Sequence, residues 1–264
     1  ASILSNMLLN SLFNPAIIKL IKQSESNQDS LPTLTQKIMR QVGIGPITTH
    51  GSIPKSGPLL LISNHPGVFD SVTLLSRANR NDLYFTALYT YFVFGSRVRK
   101  RLIPIYRDRK LNHRLYEYPL SLQLGNQLPP KLTIPEMRRK NRESIARAAD
   151  LINQGRAVSI FPTGSAGKKL DGSNWKPGVG FMVTQITNLD TKVVFCHMQG
   201  TQPSDIFAYM RPFIRKLLFR PQPISITFSQ PFRLNRLMQH DYEPKRITRI
   251  LEGKYNKWLN DLGL

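Results

Sequence analysis

The chain is poor in acid, almost free of cysteine and without a long apolar run, and each shortage excludes something. Only 16 Asp and Glu stand against 37 Lys and Arg, a formal net charge of +21 over 264 residues. An excess of that size says nothing about fold, but it predicts attraction to polyanions such as anionic lipid surfaces or nucleic acids. Cys196 is the only cysteine, so no intramolecular disulfide can form, which fits a reducing compartment. The first residues lack the basic segment and continuous apolar run of a secretory signal. No stretch reaches the roughly 18 uninterrupted apolar residues that a spanning helix needs. Ala1 to Ile18 is uncharged but broken by Ser5, Asn6, Asn10, Ser11, Asn14 and Pro15, and Leu83 to Ser96 is short and contains Gly95. A chain of this kind that meets a membrane is expected to lie on it, as a cytoplasmic peripheral or monotopic protein. His50, His65, His113, His197 and His240 are scattered without metal-ligand spacing, so no metal is expected. Internal repeats and low-complexity tracts are also missing.

What is present suits a globular core: 41% of the residues are hydrophobic, and the length suits one α/β core. Residues 2–22 have broadly helical apolar spacing with a break at Asn14-Pro15, and a second short helix is expected over 32–42. This helical pair reads either as a cover for the core or as a monolayer-docking hairpin, and residues 1–45 are assigned to it as a membrane-docking segment. From about residue 46 to 264, short apolar runs alternate with helical stretches, which predicts a mixed, mostly parallel central sheet covered by helices. Strands are expected at 59–63, 83–87, 102–106, 157–161, 193–198 and 224–228. Helices are expected at 69–79, 88–97, 135–154, 177–187, 205–219 and 244–261. Residues 107–134 read as a long polar connection, a type usually functional in a compact domain.

Four segments offer chemistry. In Ser63-Asn64-His65-Pro66-Gly67-Val68-Phe69-Asp70, an apolar run ends just before His65 and a helix starts near Asp70. The carboxyl end of a strand is where open α/β sheets place their sites. A sharp turn at Pro66-Gly67 can fold Asp70 onto the imidazole, fix its tautomer and leave the other nitrogen as a general base. The same residues also fit a plain reading, with Asp70 capping the helix and His65 satisfied by backbone. Arg107 closes the apolar run Leu102–Tyr106 and is suited to bidentate phosphate contact, or to simple solvation among Asp108, Arg109 and Lys110. In Phe161-Pro162-Thr163-Gly164-Ser165, a strand enters a small-residue loop able to cradle an anion through backbone N–H groups. Lys176-Pro177-Gly178 precedes a helix, with Lys176 placed for an anion contact.

Taken in order, these segments resemble the glycerolipid acyltransferase superfamily, which includes the 1-acylglycerol-3-phosphate and glycerol-3-phosphate acyltransferases. Asn64, His65 and Asp70 match its Asn-His-x4-Asp motif. Ile103–Arg107 is similar to its apolar strand ending in Arg. Phe161, Pro162 and Gly164 match its third motif, Lys176-Pro177-Gly178 resembles the Lys-x-Gly element, and Val193–Met198 resembles its final strand. The resemblance spans roughly 46–200. It implies an O-acyltransferase of phospholipid biosynthesis that moves a fatty acyl group onto a glycerol-phosphate-type acceptor. In it Asp70 orients His65, and the acceptor hydroxyl attacks an acyl thioester directly, without an acyl-enzyme or cofactor. The donor is acyl-CoA or acyl carrier protein. Asn64, Arg107, Phe161, Pro162, Thr163, Gly164, Ser165, Lys176 and Gly178 become substrate-binding candidates. Thr163 departs from the family, standing where many members have Glu, and Ser165-Ala166-Gly167 replaces Thr-Arg-Ser. Some glycerol-3-phosphate acyltransferases likewise carry a small hydroxyl residue there. The 107–134 connection is longer than is usual and suits a lid or a wall of the acceptor site. Tyr84, Phe85, Tyr89, Tyr91, Phe92 and Phe94 fall where the family lines the acyl path, or else pack the core.

Basic clusters at Arg97–Arg101, Arg138–Lys140 and Arg211, Arg215, Lys216 and Arg220 predict binding to an anionic membrane surface, at about 1 kcal/mol per cation. No recognition-helix, zinc or single-strand-binding signature accompanies them, so nucleic acid is not an expected partner. A basic lipid-binding acyltransferase-like protein without activity is the alternative, since Thr163 departs from the motif. Cys196, in an apolar run, is a poor nucleophile, and His197 beside it is expected to be a satisfied core histidine.

Overall fold

The computed structural model describes residues 14–67, 69–88, 99–106, 132–164, 175–235 and 243–264. The first elements are α1 (Pro15–Ser26), α2 (Leu31–Gln41), β1 (Ile47–His50), β2 (Leu59–Ser63), α3 (Asp70–Ala78), β3 (Leu83–Leu88) and β4 (Leu102–Ile105). Then come α4 (Ile134–Asn153), β5 (Ala157–Ile160), α5 (Gly178–Val183), β6 (Lys192–Gln199) and a 3-10 helix (Pro203–Tyr209). The rest are α6 (Pro212–Leu218), β7 (Ile224–Phe228), β8 (Phe232–Arg233) and α7 (Pro244–Asp261).

The strands form one sheet in the order β1-β7-β6-β2-β5-β3-β4, with β8 also on β6. Pairing is parallel except where β7 and β8 meet β6. The expected mixed, mostly parallel sheet is therefore what forms. β2 is buried at all five positions, as a central parallel strand must be when helices cover both faces. The strand period of two then sorts its side chains. Leu59 and Leu61 join one core with Ile17 and Ile21 of α1, Leu34, Ile38 and Met39 of α2, and Leu74 and Leu75 of α3. Leu60 and Ile62 join the other with Ile145, Ala149 and Ile152 of α4, Val179 and Met182 of α5, and Leu251 and Tyr255 of α7. The described part of the amino-terminal helical pair thus places its apolar face inside the first core.

Helix boundaries follow local chemistry. Asn14 precedes Pro15 and its Oδ1 accepts the Ala16 N–H at 3.0 Å, so the predicted break is the start of α1. Thr133 and Glu136 form a capping box at the head of α4, with Pro135 in its first turn. Four expectations are corrected. The helix predicted over 205–219 is split, because Pro212 disfavours the helical region for the residue before it, and Arg211 sits at φ −56°, ψ 150°. The helix predicted to 187 stops at Val183, where Asn153 Oδ1 of α4 accepts the Thr187 and Asn188 N–H groups at 2.8 and 3.2 Å. The strand predicted to Tyr106 stops at Ile105, because the Asn141 amide takes over both backbone groups of Tyr106, at 2.7 and 2.8 Å. Leu88, expected to open a helix over 88–97, is instead the last residue of β3, and the rest of that helix and most of the 107–134 connection lie outside the described residues. Among the described residues no helix is long and apolar enough to cross a membrane.

Candidate active site

β2 is parallel to β5 on one side and to β6 on the other, so the turns leaving all three strands gather at one end of the sheet. His65 stands on the first of these turns. Its Nδ1 lies 2.7 Å from Asp70 Oδ2. Asp70 is fully buried, while the imidazole is 22% exposed. An ionised carboxylate can only accept, so in the neutral imidazole that pairs with it Nδ1 carries the proton and Nε2 the lone pair. Nε2 has no hydrogen-bond partner among the described residues.

Asp70 is the first residue of α3, whose N-cap, Phe69, makes no side-chain cap bond. The carboxylate instead turns back over the preceding loop. Oδ2 also accepts the Gly67 N–H at 2.8 Å, and Oδ1 accepts the Thr201 hydroxyl. Burial, the largest influence, pushes the Asp70 pKa up, and the His65, Thr201 and Gly67 contacts oppose it. Thr201 comes from the loop after β6. Gly67 lets that loop approach: a Cβ there would meet Gln202 N at 2.3 Å and Thr201 Cβ at 2.8 Å. The 3-10 helix that follows this loop holds Asp205, whose carboxylate accepts the Gln202 N–H at 2.7 Å. Burial, helped by the Asp70 charge, pushes Asp205 up to about 6.

The second turn supplies the floor. Phe161, just past β5, stacks on the imidazole with ring centroids 4.6 Å apart and planes at 25°. The turn closes with the Gly164 N–H donating to Phe161 O at 3.0 Å, and Pro162 O accepts the Lys176 N–H at 2.9 Å. Gly164 has φ +67°, and a Cβ on it would lie 3.1 to 3.3 Å from the end of the Lys176 side chain. Lys176 therefore runs across Gly164, two residues before Gly178 opens α5. Thr163 is buried in this turn at 1% exposure.

The structure thus gathers Asn64, His65, Asp70, Phe161, Pro162, Thr163, Gly164, Lys176 and Gly178 at one end of the sheet. Arg107 and Ser165 lie outside the described residues. Asn64 is held by backbone alone, since its Nδ2 donates to Met198 O and its Oδ1 accepts the Met198 N–H, both at 2.7 Å. The side chain is buried and continues the β2–β6 ladder one step past the last strand residue. Thr201 went unnoticed in the sequence because its partner is 131 positions away and nothing in Gly200-Thr201-Gln202 marks a contact with Asp70.

Two other reactive groups lie on β6. Cys196 is buried and its thiol is pushed up to about 12 by that burial, which leaves no thiolate for nucleophilic work. His197 is half-buried with Nδ1 2.8 Å from the Tyr255 hydroxyl, and burial lowers its pKa. Among the described residues no cluster of His, Cys, Asp and Glu is arranged to hold a metal. A cavity of about 520 Å³ lined by Leu31, Leu34, Tyr84, Lys100, Arg101 and Arg156 lies at the amino ends of β3, β4 and β5, at the opposite end of the sheet.

A family model described as Acyltransferase matches residues 46–199. No curated protein matches the chain. Among solved structures, the chain is similar to the crystal structure of the 1-acyl-sn-glycerophosphate (LPA) acyltransferase, PlsC, from Thermotoga maritima. That similarity covers 85% of this chain and 79% of that one, with 14% sequence identity and a TM-score of 0.47.

Proposed function

The chain belongs to the acyltransferase family, and on that premise we propose that it moves a fatty acyl group from an acyl thioester to a hydroxyl of glycerol-3-phosphate or a lysophospholipid. His65 is the general base of this reading. Its Nε2 accepts the proton of the acceptor hydroxyl as the oxygen bonds to the thioester carbonyl carbon. The tetrahedral intermediate then collapses, the C–S bond breaks, and the departing sulfur takes the proton back from the imidazolium. The acyl group is transferred in one addition and elimination, with no acyl-enzyme. Asp70 holds the ring in the tautomer that leaves Nε2 basic and stabilises the imidazolium while it lasts. Thr201 and the Gly67 amide fix the carboxylate in the position this requires.

The observation that carries the proposal is the 2.7 Å bond between His65 Nδ1 and a fully buried Asp70, on an imidazole that remains partly exposed. Lys176, with Arg107 and Ser165, is assigned to the acceptor phosphate. The donor is acyl-CoA or acyl carrier protein, both polyanions suited to a chain of net charge +21. The protein works at an anionic membrane surface as a peripheral or monotopic enzyme.

The test is transfer of radiolabelled acyl groups from both donors to a panel of glycerol-3-phosphate and lysophospholipids. His65→Ala is expected to lower turnover about 10²–10⁴-fold and to keep the fold, since the ring is partly exposed. Normal turnover in this variant removes the proposed base. A wild-type chain inactive with every donor and acceptor favours a lipid-binding relative without activity.

A further inference from the structure

The two most exposed large apolar side chains of the described structure, Leu217 and Phe213, share one short helix. α6 buries none of its residues. Phe213 is 70% exposed, Leu217 79% and Leu218 47%. Phe213 and Leu217 are four positions apart and so lie on one helical face. Arg211, Lys216 and Arg220 beside them are exposed as well, and none forms an ion pair with a described residue. Arg215 differs from these three, because its Nη1 donates to Gln41 O at 3.0 Å and pins α6 to the end of α2. The helix is therefore anchored through one cation while its apolar face and three other cations point outward.

The topology fixes where this happens. β6 runs parallel to β2, with Ser63 opposite Cys196, and β7 returns antiparallel, with Gln199 opposite Ser225. Residues 200–223 therefore occupy the end of the sheet at which β2 and β6 finish, the end that carries His65 and Asp70. Thr201, at the start of this connection, touches Asp70 itself.

An exposed apolar face with three neighbouring cations that form no ion pair among the described residues matches the chemistry of a phospholipid monolayer. The side chains enter among the acyl chains, and the guanidinium and ammonium groups meet lipid phosphates. An anionic lipid surface satisfies both features at once, the apolar face through its acyl chains and the cations through its phosphates. We propose that α6 is a docking element that seats the chain on an anionic lipid surface with the His65 end of the sheet turned toward it. This rests on the reading that the protein works at such a surface, and it names the element that meets it.

The experiment is co-sedimentation of the full chain with vesicles of phosphatidylcholine alone and of phosphatidylcholine mixed with phosphatidylglycerol. The Phe213→Ser/Leu217→Ser double variant is expected to lower partitioning onto the mixed vesicles at least about tenfold. The Arg211→Gln/Lys216→Gln/Arg220→Gln triple variant is expected to lose the preference for anionic over neutral vesicles. Thermal melting of both should match wild type, because the replaced side chains are exposed. Wild-type chain that ignores both vesicle types overturns the membrane reading itself. Wild-type binding that the double variant retains in full overturns the role of α6 alone. A dimer in sedimentation velocity that the double variant dissolves, with vesicle binding unchanged, assigns the face to a second copy of the chain and also overturns the proposal.

Discussion

At the scale of single residues, the candidate site is a chain of dependence. His65 relies on Asp70 for its tautomer, and Asp70 relies on Thr201 and the Gly67 amide for its position. Asp70→Asn keeps the shape but replaces an obligate acceptor with a group that can also donate, which permits the wrong imidazole tautomer. We expect kcat to fall by at least about a hundredfold, measured by steady-state acyl transfer. Thr201→Val keeps the volume and removes one donor from a buried carboxylate, leaving Oδ1 short of a partner. A loss of about tenfold in kcat with little change in KM is expected, since a bond of this kind is worth about 1–3 kcal/mol when its partner is left unsatisfied. Thr201→Ser should restore most of it, which a merely space-filling role for Thr201 would not predict. His65 and Asp70 were legible in the sequence because they sit together on one turn beside a strand end. Thr201 was not, because only the pairing of β2 with β6 brings it near, and no local pattern encodes that pairing. The floor of the site was legible as a motif, Phe161 to Gly164, but not as a ring stacked on the imidazole.

At the scale of elements, strands fully covered on both faces announce themselves and edges do not. β2, β5 and β6 read as apolar runs. β1 escaped notice because Ile47 is followed by Thr48, Thr49 and His50, all exposed on an edge strand, and β8 has only two residues. The division of the predicted 205–219 helix is a matter of one proline, Pro212, and is visible in the sequence once that residue is weighed. The two asparagines that extend strand ends show a shared device. Asn64 bridges to Met198 and Asn141 to Tyr106, each with paired bonds to one residue's backbone, and each fixes where a strand stops. A tight joint between elements lies at Gly67, where the β2–α3 turn meets the loop after β6. Because the nearest atoms are backbone, Gly67→Ala must push the two loops apart. We expect it to cost about 1–3 kcal/mol of stability, read as a lower melting temperature, and to lose activity beyond that. Equal melting and equal turnover would mean that the loops yield freely and do not hold Asp70 in place.

At the scale of the whole molecule, the dominant quantity is charge. A net +21 attracts any polyanion, so membrane association driven by it must weaken as salt screens it. We expect partitioning onto phosphatidylglycerol-containing vesicles to fall steeply between low and high salt while a remnant, carried by apolar insertion, persists. Complete loss at high salt would assign association to charge alone, and stronger binding to DNA than to vesicles at matched salt would turn attention to nucleic acid. The sequence displays this charge plainly, but not that three of its cations stand exposed beside the apolar face of α6, which depends on how α6 is held against α2. Tyr255 of α7 is fully buried, and its hydroxyl reaches His197 and the Cys196 carbonyl, so the strand that delivers Thr201 is buttressed from behind by residues 244–261. A nascent polypeptide still lacking that segment has made both His65 and Asp70 yet has no wall against which to order them, so the proposed activity has to wait until residues 244–261 have left the ribosome.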